Sequence, residues 1–254
     1  FGSMQDEQVS LGKNFDAFIA DFVDSGVDFK MAITTTDTSS SSTAGTAVSG
    51  SMTKLTSAKA AANRSQFLDD FADLVNVGTR GSGYEKGLAA SKRFVERYEA
   101  SWMRSSAYLI VIYVTDEEDQ SSLTPASYLA SLQASKTNAG YVKTYSIVGK
   151  TGCPAGVSGY TCGYARYKYL SDNSGGSDAN IQGNFATILS GIGDQVADLL
   201  DSFPLAQDPI AGSVSVKVNG VAVATGWSVI GRSVKFNAGS EPAAGSSVEI
   251  SYQY

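Results

Sequence analysis

The sequence predicts an α/β chain: a doubly wound, mostly parallel sheet flanked by helices, followed by a small C-terminal antiparallel β module. Two observations predict the first part. Segments with helical apolar spacing alternate with short β-branched runs as far as Phe203, and strand–helix alternation implies a parallel sheet covered on both faces. Tyr108–Thr115 is the most apolar run in the chain, yet too short for a helix, as expected of a central strand buried on both sides. A third observation predicts the module: from Ser213 onward apolar and polar residues alternate, with turns such as Asn219-Gly220 between them.

The elements follow in order. Val9, Phe15, Phe18, Ile19 and Phe22 lie on one stripe of a helix over Asp6–Val23. Phe29–Thr36 reads as a buried strand ending at Asp37. Thr38–Thr53 is rich in hydroxyls and without period, a surface loop. Helical spacing returns over Ser65–Val75. The glycine-punctuated loop Val77–Gly83 leads into a helix over Tyr84–Ala100 carrying Leu88, Phe94, Val95 and Tyr98. After the strand Tyr108–Thr115 come four acids, Asp116–Asp119. Thr124-Pro125 supplies an N-cap and first position for a helix to about Lys136. Val142–Val148 is a strand and Phe185–Phe203 an amphipathic helix. Val214–Val218, Val221–Ile230, Ser233–Phe236 and Val248–Tyr252 are the strands of the module. Pro204 and Pro209 mark the boundary between a domain over residues 1–205 and a β module over 209–254.

Composition excludes several chemistries. The 254 residues contain no histidine, which removes Ser-His-Asp triads, Cys-His pairs and every His-ligated metal. A net charge of -6 without a basic stripe argues against nucleic acid. No apolar run approaches the ~20 residues of a membrane span. Charged residues make up only 17 %, and the hydroxyl-rich remainder suits a secreted bacterial protein better than a cytosolic enzyme. Cys153 and Cys162 enclose a short loop, and an even count in such a chain reads as a disulfide, worth roughly 2.5–3 kcal/mol for a loop of about ten residues; two buried free thiols are the alternative.

In a doubly wound sheet ligands bind beyond the carboxyl ends of the strands. Asp37, Thr79 and Asp116 all fall at such places, and hydroxyl and carboxylate oxygens without imidazole or thiolate form a hard shell suited to Mg²⁺, Mn²⁺ or Ca²⁺. Gly2-Ser3-Met4-Gln5-Asp6-Glu7-Gln8, Val77–Glu85 and Val114–Ser121, in that order, resemble the metal-ion-dependent adhesion site of von Willebrand factor A domains of the secreted Gram-negative bacterial type. That site combines a D-x-S-x-S motif after the first strand, a threonine in a later loop and an aspartate after the fourth strand. The resemblance covers residues 1–203. It implies that Ser3, Thr79 and Asp116 ligate the ion, with one position left for a carboxylate of a partner protein; a glycan on a cell surface is the other partner.

With Ser3 as the last serine of D-x-S-x-S, Phe1 stands where the motif's first serine belongs, and the aspartate and first strand would precede it. Three origins are open: an upstream segment, which the continuing Gln5-Asp6-Glu7-Gln8 favours; a strand added from another chain; or a Gly2-Ser3-Met4 remnant of cloning that imitates the motif. The function expected is an extracytoplasmic adhesion or protein-recognition module, secreted, periplasmic or on the outer surface of a Gram-negative bacterium, without turnover. A metal-free scaffold of the same fold and a Mg²⁺-dependent phosphoryl-transfer enzyme using Asp116 are the alternatives. Asp37, Glu117, Tyr160 and Tyr164 are candidate rim residues.

Overall fold

The computed structural model describes residues 4–24, 27–149, 165–243 and 245–254. It is α/β, with a three-stranded parallel sheet and two three-stranded antiparallel sheets.

The parallel sheet has the order β1 (Leu109–Thr115), β2 (Val142–Val148), β3 (Asp178–Asn180), with Leu109 opposite Val142 and Thr115 opposite Val148. Alternation of the strand sends Ile110, Ile112 and Val114 into one apolar cluster and Leu109, Val111 and Tyr113 into another. The first cluster is built by α1 (Gln5–Asp24), α4 (Arg64–Val75) and α8 (Phe185–Ala197). Leu11, Phe15, Phe18 and Ile19 recur along α1 at the spacing that makes one buried stripe, and the Phe15 ring stacks on Phe71 of α4. The second cluster is built by α5 (Gly87–Tyr98), α6 (Pro125–Ala134) and α7 (Ala165–Ser174), around the fully buried Leu88, Leu132, Tyr167 and Leu170. Two short helices, α2 (Ser51–Lys54) and α3 (Ser57–Ala62), lie in the stretch before α4.

Local chemistry sets the helix starts. Thr124 caps α6 by accepting from Ser127 N, with Pro125 at the first position, as the sequence predicts. Asn63 and Asn184 cap α4 and α8 in the same way. Gly193 lets α8 lie against α1: a Cβ there would stand 2.6 Å from the Phe18 carbonyl oxygen.

The C-terminal strands are β4 (Ser202–Pro204), β5 (Ser215–Val218), β6 (Val221–Val223), β7 (Trp227–Ile230), β8 (Ser233–Phe236) and β9 (Val248–Ser251). They form the sheets β4-β8-β7 and β6-β5-β9 around Leu205, Val216, Val234 and Phe236.

Four sequence expectations need correction. Tyr108–Thr115 does form a strand, but at the edge of its sheet, and only Tyr113 and Thr115 are buried. Phe29–Thr36 is extended yet forms no ladder; its one bridge is Lys30 with Thr56. The expected helix to Phe203 stops at Ala197, and Phe203 enters β4, paired with Val234. Val221–Ile230 is not one strand, because the chain turns at Gly226 (φ 84) and its halves join different sheets. Among the described residues no helix is long and apolar enough to cross a membrane.

Candidate functional site

Several contacts gather the loops at the carboxyl end of β1. The Gln8 side chain of α1 clasps the backbone of Gly78, donating to its carbonyl at 3.1 Å and accepting from its N–H at 3.0 Å. Asp37 uses both carboxylate oxygens on loop N–H groups, Ser39 at 2.8 Å and Ser82 at 3.1 Å. The Ser39 bonds hold its carboxyl below the usual range. Thr115, the last residue of β1, donates its hydroxyl to Glu85 Oε2 at 2.5 Å, while Gln120 N donates to the Glu85 carbonyl. The first turn of α1, the loop carrying Thr79 and the residues after β1 therefore meet at one end of the sheet.

Asp116 is half-buried at this end, and its Oδ1 is buried without a hydrogen-bond partner among the described residues. Glu7 Oε2, in the first turn of α1, and Glu118 Oε2 are in the same condition. Burial raises the Glu85 carboxyl above its ordinary range, the bond from Thr115 opposes this, and the negative charges of Asp116 and Glu117 add to it. Thr79 is half-buried and its hydroxyl has no hydrogen bond among the described residues. Glu117 is exposed at the mouth. An orphaned carboxylate oxygen and an unused hydroxyl within a negative environment fit a hard divalent cation. Among the described residues no group of three or more Cys, Asp or Glu side chains is arranged to hold a metal, and a shell of two hydroxyls and one carboxylate is not such a group.

Asp119 differs from its acidic neighbours. Its side chain is fully buried, accepts from Leu88 N, Ser121 N and Ser121 Oγ, and pairs with Arg166 Nε at 2.9 Å. It fastens the loop after β1 to the start of α5, and the run Asp116–Asp119 is thus not a uniformly solvated acidic loop. The sequence reading assigned no role to Glu85 or Glu7; both stand inside the motif segments, where charge next to an apolar strand end was the available signal. Ser3, Cys153, Cys162, Tyr160 and Tyr164 lie outside the described residues.

Behind the rim runs a cavity of about 820 Å³ between β1 and the extended segment 29–36. The two run in the same direction. Arg104, shortly before β1, binds Asp28 at 2.6 Å at one end, and the Asp37–Ser82 and Thr115–Glu85 bonds close the other. No backbone hydrogen bond joins them. Apolar walls come from Phe15, Phe18, Ile110, Ile112, Ile33 and Leu189. Interiors tolerate few voids larger than a water molecule.

Comparison of the chain with protein-family models and with curated proteins finds no match in either.

Proposed function

We propose that this chain is an extracytoplasmic protein-recognition module in which Thr79 and Asp116, together with Ser3, hold a divalent cation at the carboxyl end of β1. The observation that carries the proposal is the buried, unpartnered Asp116 Oδ1 beside the Glu85–Thr115 pair. Mg²⁺ suits the oxygen donors best, with Mn²⁺ or Ca²⁺ as substitutes. The ion supplies an open, electrophilic position that rewards an incoming carboxylate. The residues of the chain do the rest. Gln8 and Asp37 fix the loop on which Thr79 sits, Thr115 and Glu85 fix the backbone from which Asp116 projects, and exposed Glu117 borders the mouth. The partner brings an acidic side chain; an oxygen-rich glycan is the second class.

The same proposal includes the finer fold, a doubly wound domain of von Willebrand factor A type. Its support is the pair of apolar clusters on opposite faces of β1 and the cavity beside it. It also includes a secreted, periplasmic or outer-surface location in a Gram-negative bacterium, supported by the low content of charged residues.

Phosphoryl transfer through Asp116 finds less support. That chemistry wants a lysine beside the carboxylate; of the two lysines the sequence offers for it, Lys150 lies outside the described residues and Lys143 stands at the opposite end of β2, its Nζ 3.2 Å from where a Cβ on Gly175 would be. Six residues of strand, about 20 Å, separate it from Gly149, which abuts the Asp116 backbone. A metal-free scaffold of the same shape remains the competing account. Calorimetric titration of the chain with MgCl₂ and MnCl₂ decides between them: saturable heat that Asp116→Ala and Thr79→Ala each abolish is expected, and no heat at millimolar ion leaves the scaffold.

A further inference from the structure

We propose that the loop from Val77 to Tyr84 decides which partner the rim accepts: Arg80 takes a second acidic side chain of the partner, beside the one that reaches the cation, and Val77 and Tyr84 pack against an apolar side chain of the same segment. The inference rests on the cation-assisted recognition proposed above and names the chemistry of what is recognised, an acidic peptide segment.

The loop is held still. Gly78, in the left-handed region at φ 78, is clasped through both backbone groups by Gln8. Asp37 accepts from Ser82 N, the Ser82 hydroxyl accepts from Tyr84 N at 3.1 Å, and Lys86 N donates to the Thr36 carbonyl at 3.0 Å. The tip Thr79-Arg80-Gly81 therefore stands between two fastened points. A loop ordered beforehand loses little entropy when a partner binds.

On this fixed backbone the large side chains face water. Tyr84 is 68 % exposed and Val77 43 %, while Thr79 between them is half-buried. Tyrosine and arginine recur among the residues that dominate binding energy, because one brings rigid area and the other several N–H donors.

Arg80 adds the charge argument. It is exposed and makes no ion pair or hydrogen bond among the described residues, although Glu7, Asp37, Glu85, Asp116 and Glu117 share this end of the sheet. Arg166, by contrast, is occupied by Asp119. Charge is thus divided between the two loops of the rim: Arg80 follows Thr79, and exposed Glu117 follows Asp116. An acid placed next to the cation-bound carboxylate is attracted on the Arg80 side and repelled on the Glu117 side, which sets the direction in which the partner lies. The guanidinium meets such a carboxylate with two parallel N–H donors. A basic segment would be repelled by both the cation and Arg80, and a neutral glycan would leave Arg80 without a counter-charge.

The ¹⁵N-labelled chain in saturating Mg²⁺, titrated with capped hexapeptides and followed by amide shifts, tests the proposal. Each peptide carries one Glu and one Leu, with a second Glu, or Gln in the control series, scanned through the remaining positions. The best peptide with two acids should bind about tenfold tighter than its Gln control, the scale of one hydrogen-bonded charge pair. Arg80→Ala should erase that advantage, and Arg80→Glu should shift it to a third series with Lys in place of the second Glu. Tyr84→Ala should weaken both acidic and control series alike, about fivefold. The heat of Mg²⁺ binding should be the same in Arg80→Ala, Tyr84→Ala and the parent. Mg²⁺ bound without peptide binding, without preference for the second acid, or with a preference that survives Arg80→Ala overturns this inference and leaves the cation site standing. A parent chain that binds no Mg²⁺ refutes the reading beneath it, and this inference with it.

Discussion

Thr115 Oγ1 lies 2.5 Å from Glu85 Oε2, binding the end of the edge strand β1 to the loop that precedes α5. Through this contact a strand end, a glycine-rich loop and a half-buried carboxyl share one environment. Most of what the rim can do follows from that sharing.

The pH dependence of stability reports on Glu85. Burial raises its folded pKa above the ordinary 4.5, so the folded chain keeps a proton that the unfolded chain has released between those two values. Its contribution to stability grows as the pH falls through that window and is lost as the pH rises above the folded value. Glu85→Gln can still accept from Thr115 and carries no charge. The variant should melt higher than the parent at pH 7, and the difference should vanish near pH 4, as followed by circular dichroism.

Arg166 neutralises a carboxylate that has no access to water. Arg166→Ala leaves Asp119 buried and charged, at a cost of about 3 kcal/mol in urea unfolding. Arg166 also donates to the carbonyls of Ser121 and Leu123, so Arg166→Lys should recover only part of the loss.

Core truncations should separate packed from cavity-lining positions. Leu132 is fully buried, and Leu132→Ala should lower stability by about 3 kcal/mol. Ile112 is only half-buried and borders the cavity, so Ile112→Ala should cost less than Leu132→Ala, about 1–2 kcal/mol.

Close approach of α1 and α8 depends on one missing side chain. Gly193→Ala pushes a methyl carbon against the Phe18 carbonyl, and a loss of about 1–3 kcal/mol is expected by denaturant titration. Gly191, with open space around its missing Cβ, is the control: Gly191→Ala should be neutral or stabilising.

How far the sequence could be read varied with the range of the forces involved. Helices were legible because their signals are local: the stripe of Leu11, Phe15, Phe18 and Ile19, or the Thr124-Pro125 start of α6. The strand Leu109–Thr115 was legible as a strand, but its place was not. An apolar run implies burial on both faces, and what lies beside an edge is a fact about other parts of the polypeptide. Phe29–Thr36 shows the same limit, since a ladder needs a partner that propensity does not report. The break at Gly226 and the transfer of Phe203 to β4 depended on long-range pairing with Phe236 and Val234. At the rim, motif spacing singles out Thr79 and Asp116 as candidates. The orphaned oxygen of Asp116, the buried ion pair of Asp119 and the raised carboxyl of Glu85 required knowledge of burial, which no spacing carries.

Paramagnetic relaxation by Mn²⁺ tests the rim most directly. In ¹⁵N-labelled chain, substoichiometric Mn²⁺ should broaden the amide signals of Gly78–Ser82 and Thr115–Glu117 first, excess Mg²⁺ should restore them, and Asp116→Ala should abolish the effect. Broadening spread over the other exposed acidic residues, such as Asp16 and Glu241, or unchanged by Asp116→Ala, would contradict a cation site formed by Thr79 and Asp116.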